Sequence, residues 1–404
     1  MRRRVLVAGV VLAALLAAGC HRETRGERPA GQAVEVVAGG GASTSGPAAD
    51  ARIDGRLIDL AVDRGGTVRV LTDTTDGLVL WTAPAGGELA RAVVRGVEAR
   101  DASQLAVGPG GEVYLAAGRS VWRLGQDGAA TRVVGSGSAG QPSPDGTPAA
   151  RAKAFKITGV AVTPDGALHY AEEVAQPQFL TLVRTVRDGL VRTVLGRVPA
   201  RATPESEVDA AIARSGDPAP GTRATELVVG GVQSRLAAGR DGTLYVSRDA
   251  HGVLALRPDG TATAVIAGLA PRVVRQPTAP FEPIGNAADA RPELFLGGSR
   301  VSLAADPAGG DLYLVTRVGG AGDGGARPAG PFVWSGGSAA QRDLLARQRA
   351  GVAVWRVDGQ GRLAAAAYGA DAVAAQGSWL YLAVDLPGDG TDRRALVLRT
   401  AMRS

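Results

Sequence analysis

Apolar and polar positions alternate in short runs along most of this chain, and one phrase of that alternation returns six times. Its anchor is an apolar triplet, then a glycine-containing turn, then a run with an aromatic residue at its second or third place. The clear copies are Leu105-Ala106-Val107, Val160-Ala161-Val162, Leu236-Ala237-Ala238 and Leu303-Ala304-Ala305, each followed within eight residues by Tyr114, Tyr170, Tyr245 or Tyr313. Weaker copies open the series at Leu60-Ala61-Val62 and close it at Val373-Ala374-Ala375. Period-two runs separated by Asp-Gly or Gly-Gly predict antiparallel hairpins, because tight turns need residues that tolerate positive φ. Two more strand-like runs follow each anchor, such as Val121-Trp122-Arg123-Leu124 and Thr131-Arg132-Val133-Val134. Four antiparallel strands per unit, repeated six times, predict an all-β six-bladed β-propeller.

The two ends predict how the ring closes. The last unit has only three strands and finishes at Ala395-Leu396-Val397-Leu398. The missing fourth-strand phrase stands at the other end, within residues 33–38, Ala-Val-Glu-Val-Val-Ala. The N-terminal strand is therefore expected to complete the last blade, so that no sheet is left unfinished.

Ahead of the repeats, Arg2-Arg3-Arg4 precede an apolar run from Val5 to Ala18 that is too short to span a bilayer, which takes about 20 residues. The run ends in Leu16-Ala17-Ala18-Gly19-Cys20, which resembles a bacterial lipobox, with Ala17 where that motif usually has a larger aliphatic residue. Residues 1–19 are then a lipoprotein signal peptide and Cys20, the chain's single cysteine, an acylated (palmitate-type) N-terminus. An ordinary signal peptide with a chance cysteine is the alternative. Arg2-Arg3-Arg4-Val5-Leu6 also faintly resembles a twin-arginine signal. Residues 20–31 contain almost nothing apolar and read as a flexible tether, leaving 32–404 for the propeller. A protein lipid-anchored on the outer side of the cell membrane is expected, with no disulfide.

Charge narrows the partners. Of the formal +6, three charges belong to Arg2–Arg4, and the remaining surplus is spread without a Lys/Arg block. A nucleic-acid binder needs a clustered basic face, so nucleic acid is not expected as a partner.

Three phrases carry a family resemblance: Val133-Val134-Gly135-Ser136-Gly137-Ser138-Ala139-Gly140, Asp145-Gly146-Thr147-Pro148-Ala149, and Gly159-Val160-Ala161-Val162-Thr163-Pro164-Asp165-Gly166. They resemble the NHL repeats of bacterial secreted propellers and teneurins, over residues 32–402. The resemblance implies the propeller fold strongly and an activity weakly. Such rings mostly bind proteins, glycans or nucleic acid, and similar ones include lactonases and other hydrolases. A binding or interaction module, a monomer recognising an envelope protein or glycan, is expected first. A metal-dependent lactonase or hydrolase with an acidic channel mouth is the alternative.

In a propeller, connections after the second and fourth strands leave by one face, so inserts 136–157, 197–232, 267–300 and 317–351 crowd one rim. Ser338-Ala339-Ala340-Gln341 resembles a capping box opening a short helix to Gly351. Insert 197–232 is rich in Pro, Ala and Gly, and both order and disorder are compatible with it. Second strands end in Asp73, Glu172, Asp249, Arg317 and Asp385. In a shared register these candidate binding residues ring the channel mouth on the loop-rich face. Converging carboxylates suit a hard cation such as Ca²⁺. The plainer reading is that each bonds local backbone, and no catalytic residue, metal site or cofactor is assigned. His21 adjoins the anchor, His251 lies in a turn, and His169 replaces the tyrosine of other units as a packing residue. Trp81, Trp122 and Trp355 read as packing between blades.

Overall fold

A computed structural model describes residues 34–175, 179–248, 252–267, 283–286, 302–306, 310–317, 352–386 and 393–402. Six antiparallel sheets form six blades, each built outward from an innermost strand. The innermost strands are Arg56–Val62, Ala102–Val107, Lys156–Val162, Leu236–Ala238, Ser302–Ala305 and Ala372–Gln376, for blades 1 to 6. All six are the anchor triplets of the sequence. Each lies beside the next, and the sixth returns to the first, so the blades form a closed ring.

Closure follows the expected route. Glu35–Ala38 pairs antiparallel with Arg394–Ala401 as the outer strand of blade 6, with Glu35 opposite Arg399 and Val36 opposite Leu398. Ile53–Asp54 extends the same edge by pairing with Ala395 and Arg394. Blade 5 departs from the four-strand pattern. Pro283–Asn286, from insert 267–300, adds a fifth strand outside Arg362–Tyr368.

Hydrophobic burial explains why blades cannot stand alone. Six clusters fill the six seams, one between each neighbouring pair. The seam between blades 6 and 1 joins Ala38, Val70, Trp81, Tyr381 and Val397, so the N-terminal strand shares a core with both. The middle residue of every anchor is alanine: Ala61, Ala106, Ala161, Ala237, Ala304 and Ala374. Each packs into the seam with the following blade, where small side chains let the converging inner strands approach. Trp81 is buried with its indole N–H donated to Thr72 Oγ1 at 2.8 Å, and Trp355 is buried in the seam of blades 4 and 5.

The recurring Val-Gly phrase has a geometric cause. After the fourth strand, Gly39, Gly135 and Gly196 take φ of +91°, +98° and +89°, a region that strains other residues. A Cβ on Gly135 would lie 2.3 Å from the Arg119 carbonyl oxygen. Each glycine N–H then donates to the first residue of a short 3₁₀ turn: to Ala48, Ala149 and Ala224 at 3.1, 2.9 and 3.0 Å. The residues just before those turns bridge to the outer hairpin of the next blade, Pro47 to Glu88, Pro148 to Leu190 and Arg223 to Thr261. The Gly-x-Pro-Ala phrase is thus a strap from one blade to the next.

Insert 197–232 is ordered. It carries a helix, Glu205–Arg214, with Glu205 and Glu207 in its first turn and Arg214 in its last, as the helix dipole favours. Val208, Ala211 and Ile212 pack on Val174, Leu180 and Leu182 of blade 3. Residues 1–33, including Cys20 and the tether, lie outside the described residues, as does the segment 338–351. Among the described residues no helix is long and apolar enough to cross a membrane.

Candidate functional site

The channel is bridged halfway down. The residue before each anchor is Asp59, Gln104, Gly159, Arg235, Ser302 or Ala372, and the polar ones tie their blade to others: Asp59, Gln104 and Ser302 to later blades, Arg235 to earlier ones. Asp59 Oδ2 accepts the Leu105 N–H at 2.7 Å, and Ser302 Oγ accepts the Val373 N–H at 3.0 Å. Inner strands are sheet edges whose unpaired amides need partners, and these side chains supply them. Gly159 has no side chain, so Gln104 spans its place. Gln104 Oε1 accepts from Val160 N–H and Leu236 N–H, each at 3.1 Å, and its Nε2 donates to Leu236 O at 2.7 Å. A Cβ on Gly159 would sit 2.7 Å from Ser234 O. From blade 4, Arg235 reaches back to donate Nη1 to Ser103 O, and to Thr158 O at 3.5 Å. Burial holds its guanidinium below the ordinary arginine range, opposed by the Asp59 charge. The sequence reading missed this ring; its signal was the mixed polar column directly ahead of the anchors.

The strand-two residues form a second tier at the loop-rich end. Asp73 faces Arg56 across the strand pair at 2.9 Å. Asp385 Oδ1 accepts the Leu57 N–H of blade 1 at 3.4 Å, and its other oxygen pairs with Arg393. The pairing corrects the register for blade 3. Asp73 stands opposite Arg56 and Glu173 opposite Lys156, so the counterpart of Asp73 is Glu173, not Glu172. Glu173 behaves as Asp385 does, accepting the Gln233 N–H of blade 4 at 2.6 Å. Gln233 and Leu57 both stand three residues before their anchors, so this tie repeats between blades. Asp249 lies outside the described residues. Arg317 ends its strand opposite Val352.

Glu172, one residue away, points into the seam of blades 2 and 3. It is 1 % exposed, meets Arg184 Nη1 at 3.5 Å, and leaves Oε1 without a hydrogen bond. Burial raises its pKa from 4.5 to about 7, with Arg184 opposing. Arg184 also donates to Asp145 at 3.0 Å and to Ser143 O at 2.9 Å, and Asp145 accepts from the Thr193 N–H and hydroxyl. This network pins loop 136–157 to blade 3. His169 sits in the tyrosine slot with Nε2 3.4 Å from Thr163 Oγ1 and Nδ1 unpaired; burial lowers its pKa to about 4, so it is neutral at physiological pH. His251 lies outside the described residues. Among the described residues no three His, Cys, Asp or Glu side chains are grouped to hold a metal ion.

Two concavities are lined by described residues. On the loop-rich face a cleft of about 400 Å³ opens among blades 1 to 3, lined by Arg100, Arg119, Arg132, Lys156, Trp122 and Phe155, with Glu98 and Asp101. Glu98 pairs with Arg100 at 2.6 Å, and Arg132 stacks 4.9 Å from the Trp122 ring centre. At the opposite end, a space of about 460 Å³ fills the channel mouth where strand-one turns meet. Insert 197–232 covers the loop-rich side of blade 4, where the buried Arg248 donates to the carbonyls of Ser215 and Gly216 at 3.4 and 3.3 Å.

No protein-family model matches the sequence, and no curated protein does. Solved structures that resemble the chain include a protein of unknown function from Bacteroides thetaiotaomicron, 13% identical, covering 90% of this chain and 75% of its own, with a TM-score of 0.49. A gluconolactonase from Xanthomonas campestris is 15% identical, with coverage of 86% and 88% and a TM-score of 0.43. Virginiamycin B lyase from Staphylococcus aureus is 12% identical, with coverage of 85% and 95% and a TM-score of 0.41. What those proteins act on is a property of theirs.

Proposed function

We propose that this protein is a lipid-anchored extracytoplasmic binding module of the NHL-repeat type, which uses the loop-rich face of its propeller to hold an envelope protein or glycan. The observation that carries the reading is how the described strand-two carboxylates at that end of the channel are engaged. Glu173 and Asp385 accept backbone N–H groups of the following blade, and Asp73 pairs with Arg56. Groups held this way stiffen a platform, whereas a catalytic carboxylate must be reachable by substrate and oriented toward it. The ordered inserts 136–157 and 197–232 then shape a surface on a rigid scaffold, where recognition commonly resides.

The direction of the first strand supports the same orientation. Glu35–Ala38 is the outer strand of blade 6 and runs toward the loop-rich face, so Val34 lies at the opposite face. A tether acylated at Cys20 would approach from there, over at most about 40 Å, leaving the loops turned away from the membrane. A photo-reactive residue placed at Phe155 on the loop-rich face, and another at Asp188 on the turn face, tests this in intact cells. Adducts from Phe155 and none from Asp188 are expected; equal labelling, or none, contradicts it. Cys20→Ser is expected to move the protein from the membrane fraction to the soluble one.

A further inference from the structure

The channel mouth on the turn face carries features that packing does not require. Its wall is a collar formed by the last residue of all six anchors: Val62, Val107, Val162, Ala238, Ala305 and Ala375. Three residues earlier on the inner strands, Gln104 and Arg235 bridge blades 2, 3 and 4. The collar encloses a cup of about 460 Å³. Cups of this size hold small molecules.

Charge at the rim is asymmetric. Two residues after the collar stand Arg64, Pro109, Pro164, Arg240 and, in blade 6, Gly377. Blades 1 and 4 are diametrically opposed in a ring of six, so Arg64 and Arg240 face one another across the mouth, and both are exposed. Three acids of the turns are occupied by their own loops, while Glu112 is exposed on the blade 2 turn with its carboxylate against Gly108 and Gly110. Asp63 accepts the Gly65 and Thr67 N–H groups, both at 2.9 Å, and lies 3.7 Å from Arg69. Asp165 accepts the Thr163 hydroxyl at 2.6 Å, and Asp241 the Thr243 N–H and hydroxyl at 3.0 and 2.8 Å. Neither Arg64 nor Arg240 has a side-chain partner among the described residues. Two opposed guanidinium groups above an apolar cup are complementary to a molecule with acid groups at both ends and an aliphatic middle.

We propose that the turn-side mouth binds a small aliphatic dicarboxylate, its carboxylates paired with Arg64 and Arg240 and its methylenes against the Val/Ala collar. This site is separate from the loop-rich face and does not depend on the reading given for it. The test is calorimetric titration of the full chain in lipid nanodiscs with succinate, adipate and suberate, and with 1,6-hexanediol as the uncharged probe. At least one diacid is expected to bind saturably. The diol is expected to bind at least about tenfold more weakly, as is the same diacid to the R64Q/R240Q double variant. Both substitutions are at exposed positions, so an unchanged denaturation midpoint is expected beside the lost affinity. Absence of saturable binding by every diacid overturns the proposal. So does a double variant that binds as well as the parent, or a diol that binds as tightly as the diacids.

Discussion

Replacing Gln104 with leucine tests whether the bridged channel holds the ring together. Leucine keeps nearly the same volume, so packing is preserved and the loss is confined to hydrogen bonds. Three go at once: those with Val160 N–H, Leu236 N–H and Leu236 O, at 3.1, 3.1 and 2.7 Å. Each leaves a backbone group without a partner in a buried place, at about 1–3 kcal/mol apiece. Water entering from the mouth can meet some of that need, so the lower part of the range applies, about 3–5 kcal/mol in all. Ser302→Ala is the internal standard, because it removes chiefly one such bond, to Val373 N–H at 3.0 Å, for about 1 kcal/mol. Urea denaturation followed by tryptophan fluorescence reads both. Trp81 and Trp355 lie in the seams of blades 6–1 and 4–5, so loss of the ring is reported from two distant places. A Gln104→Leu cost below about 1 kcal/mol, or no greater than that of Ser302→Ala, would refute the bridging role.

Two further substitutions probe buried titratable groups, with opposite dependence on pH. Glu172 has a folded pKa of about 7 against 4.5 unperturbed, so its burial penalty is absent at low pH and grows as pH rises through that interval. Glu172→Gln is expected to be more stable than the parent at pH 8 by up to roughly 3 kcal/mol and indistinguishable at pH 4, measured by denaturation midpoints. His169 has a folded pKa of about 4 against 6.5, so the folded state resists its protonation and stability falls as pH drops between those values. His169→Tyr, which restores the residue used in blades 2, 4, 5 and 6, is expected to flatten that fall between pH 7 and pH 5. An unchanged slope would show that His169 is not the group responsible.

The fold was legible because its grammar is local. Anchor triplets, Gly turns and the Val-Gly phrase each report a geometric demand, such as the positive φ of Gly135 beside the Arg119 carbonyl, that few residues meet. Ring closure was legible for a similar reason: an unfinished last blade and a spare strand at residues 33–38 have one mutual solution. The channel-mouth residues were harder to read. A one-residue step in a strand moves a side chain to the other face. Glu172 and Glu173 are both acidic, and composition cannot say which one shares the register of Asp73 and Asp385. That choice rests on the bulge between Ile157 and Gly159 and on the pairing of Lys156 with Glu173. The helix Glu205–Arg214 was also hidden, because only Val208, Ala211 and Ile212 give it an apolar side, too short a stripe to stand out in a Pro- and Gly-rich insert. The placing of Arg64 opposite Arg240 is a matter of blade order: they are 176 residues apart in sequence and opposed in space only once the ring is closed.

Hydrogen exchange on the chain with and without residues 32–39 bears most directly on the closed ring. Neighbouring blades share their cores, and the strand Glu35–Ala38 completes both blade 6 and its seam with blade 1. Its removal is expected to speed exchange in all six blades together, including the inner strand Ala102–Val107 away from the cut. Faster exchange confined to Arg394–Ala401, with the other blades protected as before, would contradict a ring whose blades depend on one another.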